Sequence, residues 1–241
     1  MTITPFALVV TAAGSSTRFN NQNIKKEFLC LENGHTVLYN AASPFYAIPG
    51  LQAVVVTAKE GTEDETKAAL EDLTNQNIPT YITTGGKTRS ESVTNALLLI
   101  KDLNINTEYV AIHDGARPYI KSELINNIIT TAVLNTAAVP AIRITDSVRR
   151  IDSKGSIVDI VDRTNLVSVQ TPQVFNFKLL LEAIEKNEDI NATDEAQVYL
   201  NAGHNVTICD SDDSNRKITF ESDIPDVEKQ IENYKRKNLK D

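Results

Sequence analysis

Small residues directly after an apolar run, followed by basic residues, form the part of the sequence best suited to chemistry. Residues 12–14 read Ala-Ala-Gly, Ser16 and Arg18 follow, and the pair Lys25 and Lys26 comes next. Small side chains let backbone N–H groups approach anionic oxygens, and a helix that begins here favours negative charge at its N-terminus. The segment is therefore predicted to bind an anion, with the basic side chains supplying charge for a triphosphate.

Two common phosphate-binding motifs do not fit this segment. A Walker A loop requires G-x-x-x-x-G-K-[ST] and a dinucleotide fingerprint requires G-x-G-x-x-G, whereas this window contains one glycine, Gly14. Taken by itself, the segment is explained equally well by an ordinary turn between a strand and a helix with cations on the surface.

Short apolar runs alternate along the chain with amphipathic stretches, which predicts repeated βαβ units and a mainly parallel sheet. The length of 241 residues and the hydrophobic content of 41% suit a single domain spanning 1–241. The predicted strands are 6–11, 51–58, 79–83, 108–112, 137–142 and 205–209. The predicted helices are 37–47, 62–75, 88–102, 121–135, 177–187, 193–202 and 223–238.

Residues 143–168 interrupt this alternation. Apolar and polar residues alternate there around Ser153-Lys-Gly155, a pattern that predicts a β-hairpin. Because a lone two-stranded hairpin is marginally stable in water, we expect it to pack against a second copy of the chain as a dimerisation arm. The alternative is that the hairpin folds back on its own domain.

Further polar clusters follow the predicted strands. Ligands of open α/β sheets bind beyond the carboxyl ends of the strands. Gly85, Gly86, Arg89 and Ser92 follow the third strand, and residues 113–118 follow the fourth. Three later clusters are 170–173, 193–196 and 215–219. Each cluster alone has an ordinary explanation, such as a helix cap, a surface ion pair or a solvated cation.

Charge and cysteine content restrict the partners and the location. The net charge of −8 and the pI near 5.0 argue against nucleic acid as a partner, because such partners require a broad basic surface. No apolar run approaches the roughly 18 residues of a membrane span, and the first residues lack the basic region of a signal peptide. Cys30 and Cys209 suit two reduced thiols. We therefore expect a cytoplasmic protein without a membrane or nucleic-acid partner.

Taken in order, these motifs resemble the 2-C-methyl-D-erythritol 4-phosphate cytidylyltransferase family over most of the chain. The resemblance implies an α/β fold with a Rossmann-like, mainly parallel sheet flanked by helices, of the GT-A-like nucleotidyltransferase type, with a protruding β-hairpin arm. The chain departs from the family pattern at three notable positions. Lys25 stands where proline is common, Ser147 replaces a threonine of the arm, and Lys87 occupies a position that is often acidic.

The resemblance implies a transfer reaction between CTP and 2-C-methyl-D-erythritol 4-phosphate. A phosphate monoester oxygen attacks the α-phosphorus and pyrophosphate leaves; the monoester, with a second pKa of about 6, needs no general base. The site must align two anions and neutralise the developing charge with cations and Mg²⁺ or another divalent ion. By resemblance, the catalytic residues are Arg18, Lys26, Arg163 and Lys217.

The resemblance also assigns binding residues. The nucleotide would contact Ala12, Ala13, Gly14, Ser16, Gly85, Gly86, Arg89, Ser92, Asp114 and Gly115. The second substrate would contact Asp114, Arg117, Ser147, Asp162, Arg163, Thr171 and Thr193. Asp114 is also the predicted metal ligand. Because Ser147, Asp162 and Arg163 lie on the predicted arm, they would reach the neighbour's site, which makes a homodimer part of the expected mechanism.

Two alternative functions remain at this point. Ribitol-5-phosphate cytidylyltransferases share the fold, the nucleotide and much of the motif set, although they tend to have Ala-Gly-Gly where this chain has Ala-Ala-Gly at 12–14. A nucleotide-binding module without turnover is disfavoured because the four predicted catalytic cations are all present.

Overall fold

The computed structural model describes residues 3–14, 16, 19, 25–74, 76–187, 192–225 and 227–238. The strands are β1 (Phe6–Ala12), β2 (Leu51–Ala58), β3 (Thr80–Thr84), β4 (Tyr109–Asp114), β5 (Ala137–Arg143), β6 (Val148–Ile151), β7 (Ile157–Val161), β8 (Val167–Val169), β9 (Gln173–Asn176) and β10 (Thr207–Asp210). The helices are α1 (Val37–Tyr46), α2 (Glu63–Ala69), α3 (Glu71–Thr74), α4 (Arg89–Asp102), α5 (Ser122–Asn135), α6 (Phe177–Lys186), α7 (Glu195–Asn201) and α8 (Val227–Asn238).

The central sheet has the strand order β3-β2-β1-β4-β9-β5-β10. Strands β3, β2, β1 and β4 are parallel, and β10 is parallel to β5. Strand β9 runs antiparallel between β4 and β5, and β8 pairs antiparallel with the outer part of β5. The carboxyl ends of β1, β2, β3 and β4 therefore meet at one edge, as the alternating sequence pattern predicts.

Helices cover both faces of the sheet, which explains the uninterrupted apolar runs of the central strands. Residues 6–10 of β1 are fully buried. Leu8 and its neighbours pack with Phe45 of α1 and Ile128 of α5 on one face, while Val9 packs in the cluster of Leu97 from α4 on the other. Burial of each such large apolar side chain stabilises the fold by about 1.5–3 kcal/mol. The carboxyl end of β1 is therefore held in place by a closely packed core.

The predicted α/β fold with a mainly parallel sheet is confirmed, and most predicted elements lie within a few residues of their observed bounds. Two differences stand out. The helix predicted over 62–75 is divided at Leu70 into α2 and α3. Strands β8 and β9 are missing from the prediction, because they are short and are separated by the polar segment 170–172.

The hairpin predicted within 143–168 is also confirmed. Strands β6 and β7 pair with each other and form a separate two-stranded sheet, with Gly155 in the left-handed region at φ +83 in the turn. Ile157 and Ile160 are 67% and 74% exposed. We call this two-stranded sheet the arm.

None of the described helices has both the length and the apolar character needed to cross a bilayer.

Candidate active site

An open cavity of about 380 Å³ lies at the edge where β1, β3 and β4 end. Its walls come from the loops that follow these strands and from residues 217–219. Of the predicted site residues that the structure describes, nine line it. They are Ala13, Gly14, Ser16, Lys26, Gly86, Arg89, Ser92, Asp114 and Lys217.

Asp114, the last residue of β4, is surrounded by three cations. Lys217 Nζ lies 2.9 Å from its carboxylate, Arg117 Nε 3.4 Å and Arg89 Nε 3.5 Å. Burial alone would raise the pKa of the Asp114 carboxyl, but the three cations outweigh this effect and hold the pKa well below its usual range. Asp114 is therefore ionised, and it draws residues from three separate segments to one point.

Arg89 begins α4 and connects two buried carboxylates. Its Nη1 donates to both oxygens of Glu195, at 2.9 and 2.7 Å, while its Nε faces Asp114. Although burial by itself would lower the pKa of Arg89, Glu195 and Asp114 raise it above its usual value. The Thr88 side chain accepts a hydrogen bond from Glu91 N and so caps α4. Glu195 was not among the predicted site residues, although it belongs to the polar cluster 193–196.

A buried hydrogen-bond chain sets the backbone of Asp114. Thr171 Oγ1 accepts from Asp114 N at 3.0 Å and lies 3.1 Å from His113 Nδ1. The carbonyl of Arg117 can only accept, so His113 Nε2 carries a proton and donates to it at 3.2 Å. In the neutral imidazole Nδ1 is then the acceptor, and the Thr171 hydroxyl donates to it. Burial lowers the pKa of His113 to about 4, so the imidazole is neutral near pH 7. Thr171, itself a predicted substrate-binding residue, therefore orders Asp114, another residue with the same predicted role.

Asn215 ties the Lys217 segment to the sheet. Its Nδ2 donates to Gln170 Oε1 at 3.0 Å and to the carbonyl of Thr171 at 2.9 Å. The backbone carbonyl of Asn215 accepts a hydrogen bond from Arg117 Nη1 at 2.9 Å. The sequence shows Asn215 only as part of a polar cluster, and its crosslinking role was not predicted.

The two adjacent lysines have different positions. Lys26 lines the cavity, and its Nζ donates to the carbonyl of Ile218, which directly follows Lys217. Lys25 Nζ instead donates to the carbonyl of Ala12 at 3.0 Å. This bond lies below the loop of small residues that follows β1, which we call the first loop. Burial lowers the pKa of Lys25, although Glu27 partly opposes this. The geometry therefore favours Lys26 over Lys25 as the cation that faces a ligand.

Close packing explains the glycines after β3. A Cβ at Gly85 would lie 2.2 Å from Ala13 Cβ, and one at Gly86 would lie 2.2 Å from Glu91 Cβ. The loop that follows β3, which we call the third loop, therefore contacts the first loop through Gly85. Gly115 is packed behind the cavity, and the buried Ala12 contributes its backbone to the support beneath the loop.

Of the predicted site residues that the structure describes, four lie away from both the cavity and the residues that support it. Ser147, Asp162 and Arg163 are exposed beside the arm, where Arg163 Nη1 donates to the carbonyl of Thr145. Thr193 is exposed before α7. Arg18 lies outside the described residues, so its catalytic role stays a prediction.

Among the described residues, two carboxylates, Asp114 and Glu27, line the cavity. The described residues contain no cluster of three or more His, Cys, Asp or Glu that could hold a metal ion by themselves. Mg²⁺ is usually bound through one or two carboxylates together with substrate phosphates, rather than by a cage of protein ligands. The cavity therefore offers two candidate carboxylates for an ion that enters with a triphosphate.

The fold and the site together define a nucleotidyltransferase-type α/β protein, with a loop of small residues and converging cations at the carboxyl ends of parallel strands. The model of the family described as IspD, 2-C-methyl-D-erythritol 4-phosphate cytidylyltransferase, matches residues 6–233. The chain belongs to this family, which confirms the resemblance seen in the sequence motifs.

Individual relatives agree with this assignment. A 2-C-methyl-D-erythritol 4-phosphate cytidylyltransferase of Clostridium novyi is 34% identical over 232 residues, covering 94% of this chain and 96% of the relative. The protein of the same name from Caldanaerobacter subterraneus subsp. tengcongensis is 35% identical over 219 residues, covering 90% and 94%. The crystal structure of 4-diphosphocytidyl-2C-methyl-D-erythritol synthase from Anaerococcus prevotii superposes with a TM-score of 0.73 at 25% identity, covering 97% of this chain and 99% of that one.

Proposed function

We propose that this protein transfers the cytidylyl group of CTP to 2-C-methyl-D-erythritol 4-phosphate, giving 4-diphosphocytidyl-2-C-methyl-D-erythritol and pyrophosphate. Family membership supports this activity. The observation that carries it is the link between Lys26 and the segment of Lys217. These lysines are far apart in sequence, yet Lys26 Nζ bonds the carbonyl of Ile218 and both line one cavity beside the loop of small residues.

The arrangement suits in-line attack by a substrate phosphate on the α-phosphorus. The attacking monoester is largely dianionic near pH 7, so the main obstacle is repulsion between two anions. Lys26 would stabilise the charge that develops around the α-phosphate and pyrophosphate, and Lys217 would hold the attacking phosphate. The ionised Asp114 can accept hydrogen bonds from substrate hydroxyls while it keeps Lys217 and Arg117 in place.

We assign the nucleotide to the side of the cavity formed by Ala13, Gly14, Gly86 and Ser92. Backbone amides in the first loop can approach the phosphates because these side chains are small. Ser92 Oγ accepts from Gly86 N at 3.0 Å, so the third loop is held at a fixed distance from α4. Such fixed polar groups can distinguish the edge of a pyrimidine. Mg²⁺ bound with the triphosphate would neutralise phosphate charge, and the sequence predicts Asp114 as its ligand.

The homodimer is part of the proposal. Ser147, Asp162 and Arg163 do not line the cavity of their own chain, and the arm beside them exposes Ile157 and Ile160. A two-fold contact through the arm would bury these apolar side chains and carry Arg163 of a second copy towards the substrate phosphate. The cytoplasmic location and the lack of nucleic-acid or membrane partners stay predictions from the sequence.

The test is pyrophosphate release by the purified protein with CTP and one polyol phosphate at a time. We expect release with 2-C-methyl-D-erythritol 4-phosphate and little with ribitol 5-phosphate. Release with ribitol 5-phosphate alone would assign the chain to the alternative cytidylyltransferase. Binding of CTP without release in either reaction would support a module without turnover.

A further inference from the structure

We infer that Glu27, rather than Asp114, is the protein carboxylate that contacts the divalent cation bound with CTP. This inference rests on the proposed function, because it concerns the ion that accompanies the nucleotide in that reaction. It starts from a contrast between the two carboxylates that line the cavity.

The charge of Asp114 is already neutralised. Its oxygens face Lys217, Arg117 and Arg89 at 2.9, 3.4 and 3.5 Å, so both carboxylate oxygens already have cationic partners. A divalent cation placed at this carboxylate would be repelled by three positive groups or would have to displace them. Displacement would also release Lys217, which the proposed reaction needs at the substrate phosphate. Asp114 is thus poorly suited to the metal.

Glu27 has the opposite surroundings. It lies in the short 3-10 helix Lys26–Phe28, is 4% exposed, and faces the cavity. Ser16 Oγ donates to its Oε2 at 3.1 Å. Within the described part of the chain, no lysine or arginine pairs with Glu27 within 4.0 Å. The nearby Lys25 attracts Glu27 through space, but its ammonium donates to the carbonyl of Ala12 at 3.0 Å and not to the carboxylate.

A buried carboxylate at the wall of a triphosphate site requires neutralisation when the nucleotide enters. Without a cation, Glu27 would repel the phosphates across the cavity. A divalent ion between the carboxylate and the phosphate oxygens reverses the sign of this interaction, and one carboxylate with phosphates and water is a common ligand set of Mg²⁺. Glu27 adjoins Ser16 and Lys26, on the side of the cavity formed by the first loop, where the triphosphate is expected.

The experiment measures CTP binding by calorimetry without the second substrate, once with excess EDTA and once with Mg²⁺. For Glu27→Gln we expect a loss of affinity on the order of tenfold or more with Mg²⁺. In EDTA, the affinity of the same variant should be unchanged or higher, because a negative charge has been removed from the cavity. Glu27→Asp, which keeps the charge, should retain part of the Mg²⁺ effect.

A matched control is Glu71→Gln, since Glu71 is an exposed residue of α3 that does not line the cavity. Its CTP affinity should equal that of the parent in both buffers. Equal losses for Glu27→Gln in both buffers would indicate a merely structural role and overturn the inference, as would no loss in either. Abolition of the Mg²⁺ effect by Asp114→Asn, with Glu27→Gln unaffected, would assign the ion to Asp114.

This outcome is separable from the proposed function. A parent protein that binds CTP with Mg²⁺ but releases no pyrophosphate with either polyol phosphate would overturn the proposed function and leave the Glu27 comparison valid. A parent that binds no CTP in either buffer would overturn both.

Discussion

The cavity and the arm represent opposite ways of placing charged side chains. In the cavity, Asp114 and Arg89 are held by several partners and rest on buried strands. Beside the arm, Arg163 is exposed, and it donates a hydrogen bond to the carbonyl of Thr145 in the same segment. Apolar residues follow the same contrast, because Val9 is fully buried whereas Ile160 is 74% exposed. One region is therefore organised by its own chain, while the other has the composition of a surface that a second chain would cover.

Lys26→Ala tests the cavity and should produce the largest effect. Removing a cation that acts on the transition state should lower kcat by about 10²–10³, while CTP affinity changes much less. Steady-state kinetics and CTP calorimetry measure the two quantities. The control is Lys101→Ala on α4, where the lysine is exposed and outside the cavity. An equal loss of affinity and turnover would show that Lys26 only binds the nucleotide.

Mixing Lys26→Ala and Arg163→Ala subunits tests whether the two regions form one site across a dimer. Each variant alone should be nearly inactive. In random heterodimers, one site of two receives both intact residues, so a co-refolded equal mixture should recover roughly a quarter of the parent activity. If both residues served the cavity of their own chain, the mixture would show no recovery, and the shared site would be ruled out.

The neutral His113 predicts a pH dependence of stability. Its pKa of about 4 in the folded state lies below the usual 6.5, so the unfolded chain binds more protons between these values. The free energy of unfolding contributed by this group is therefore present above pH 6.5 and falls by about 3 kcal/mol as the pH drops to 4. Urea unfolding from pH 7.5 to 4 should show a shallower decline for His113→Asn than for the parent. Parallel curves would contradict a buried neutral imidazole.

Paired isoleucine substitutions should give the smallest effect and the clearest contrast. Ile160→Thr on the arm should change the free energy of unfolding at low protein concentration by less than about 0.5 kcal/mol, because the side chain is exposed. Ile112→Thr in β4 should cost about 2 kcal/mol or more, since Ile112 is fully buried. Analytical ultracentrifugation should show weaker self-association for Ile160→Thr. An unchanged association constant would argue against the arm as the dimer contact.

The sequence predicts the fold where local patterns are strong. The apolar run 6–10 identifies β1, because a strand covered on both faces is continuously apolar. The alternation of apolar and polar residues around Gly155 identifies the hairpin of the arm. Strand β9 lacks such a pattern. It has four residues, follows a polar segment, and is a strand because β4 and β5 pair with it from both sides. Pairing with distant segments determines that such a short stretch is a strand, and this pairing cannot be seen in the local sequence pattern.

The site shows the same division. Lys26, Asp114 and Lys217 could be located because they belong to motifs that follow strands or carry the family pattern. The partners that hold them could not be assigned. Arg89 and Glu195 are separated by 106 positions, and Asn215 and Thr171 by 44. Buried crosslinks of this kind depend on how loops meet after folding.

The position of the arm in the chain has a mechanical consequence. It emerges from β5 and returns through β8, whose pairing with β5 joins Arg143 to Val167 at its base. Two residues beyond Val169 stands Thr171, whose hydroxyl bonds both the backbone of Asp114 and the ring of His113. In the proposed homodimer, a subunit bound to the arm would be connected through the β5–β8 pair to the Thr171 hydroxyl, and through it to Asp114 and His113.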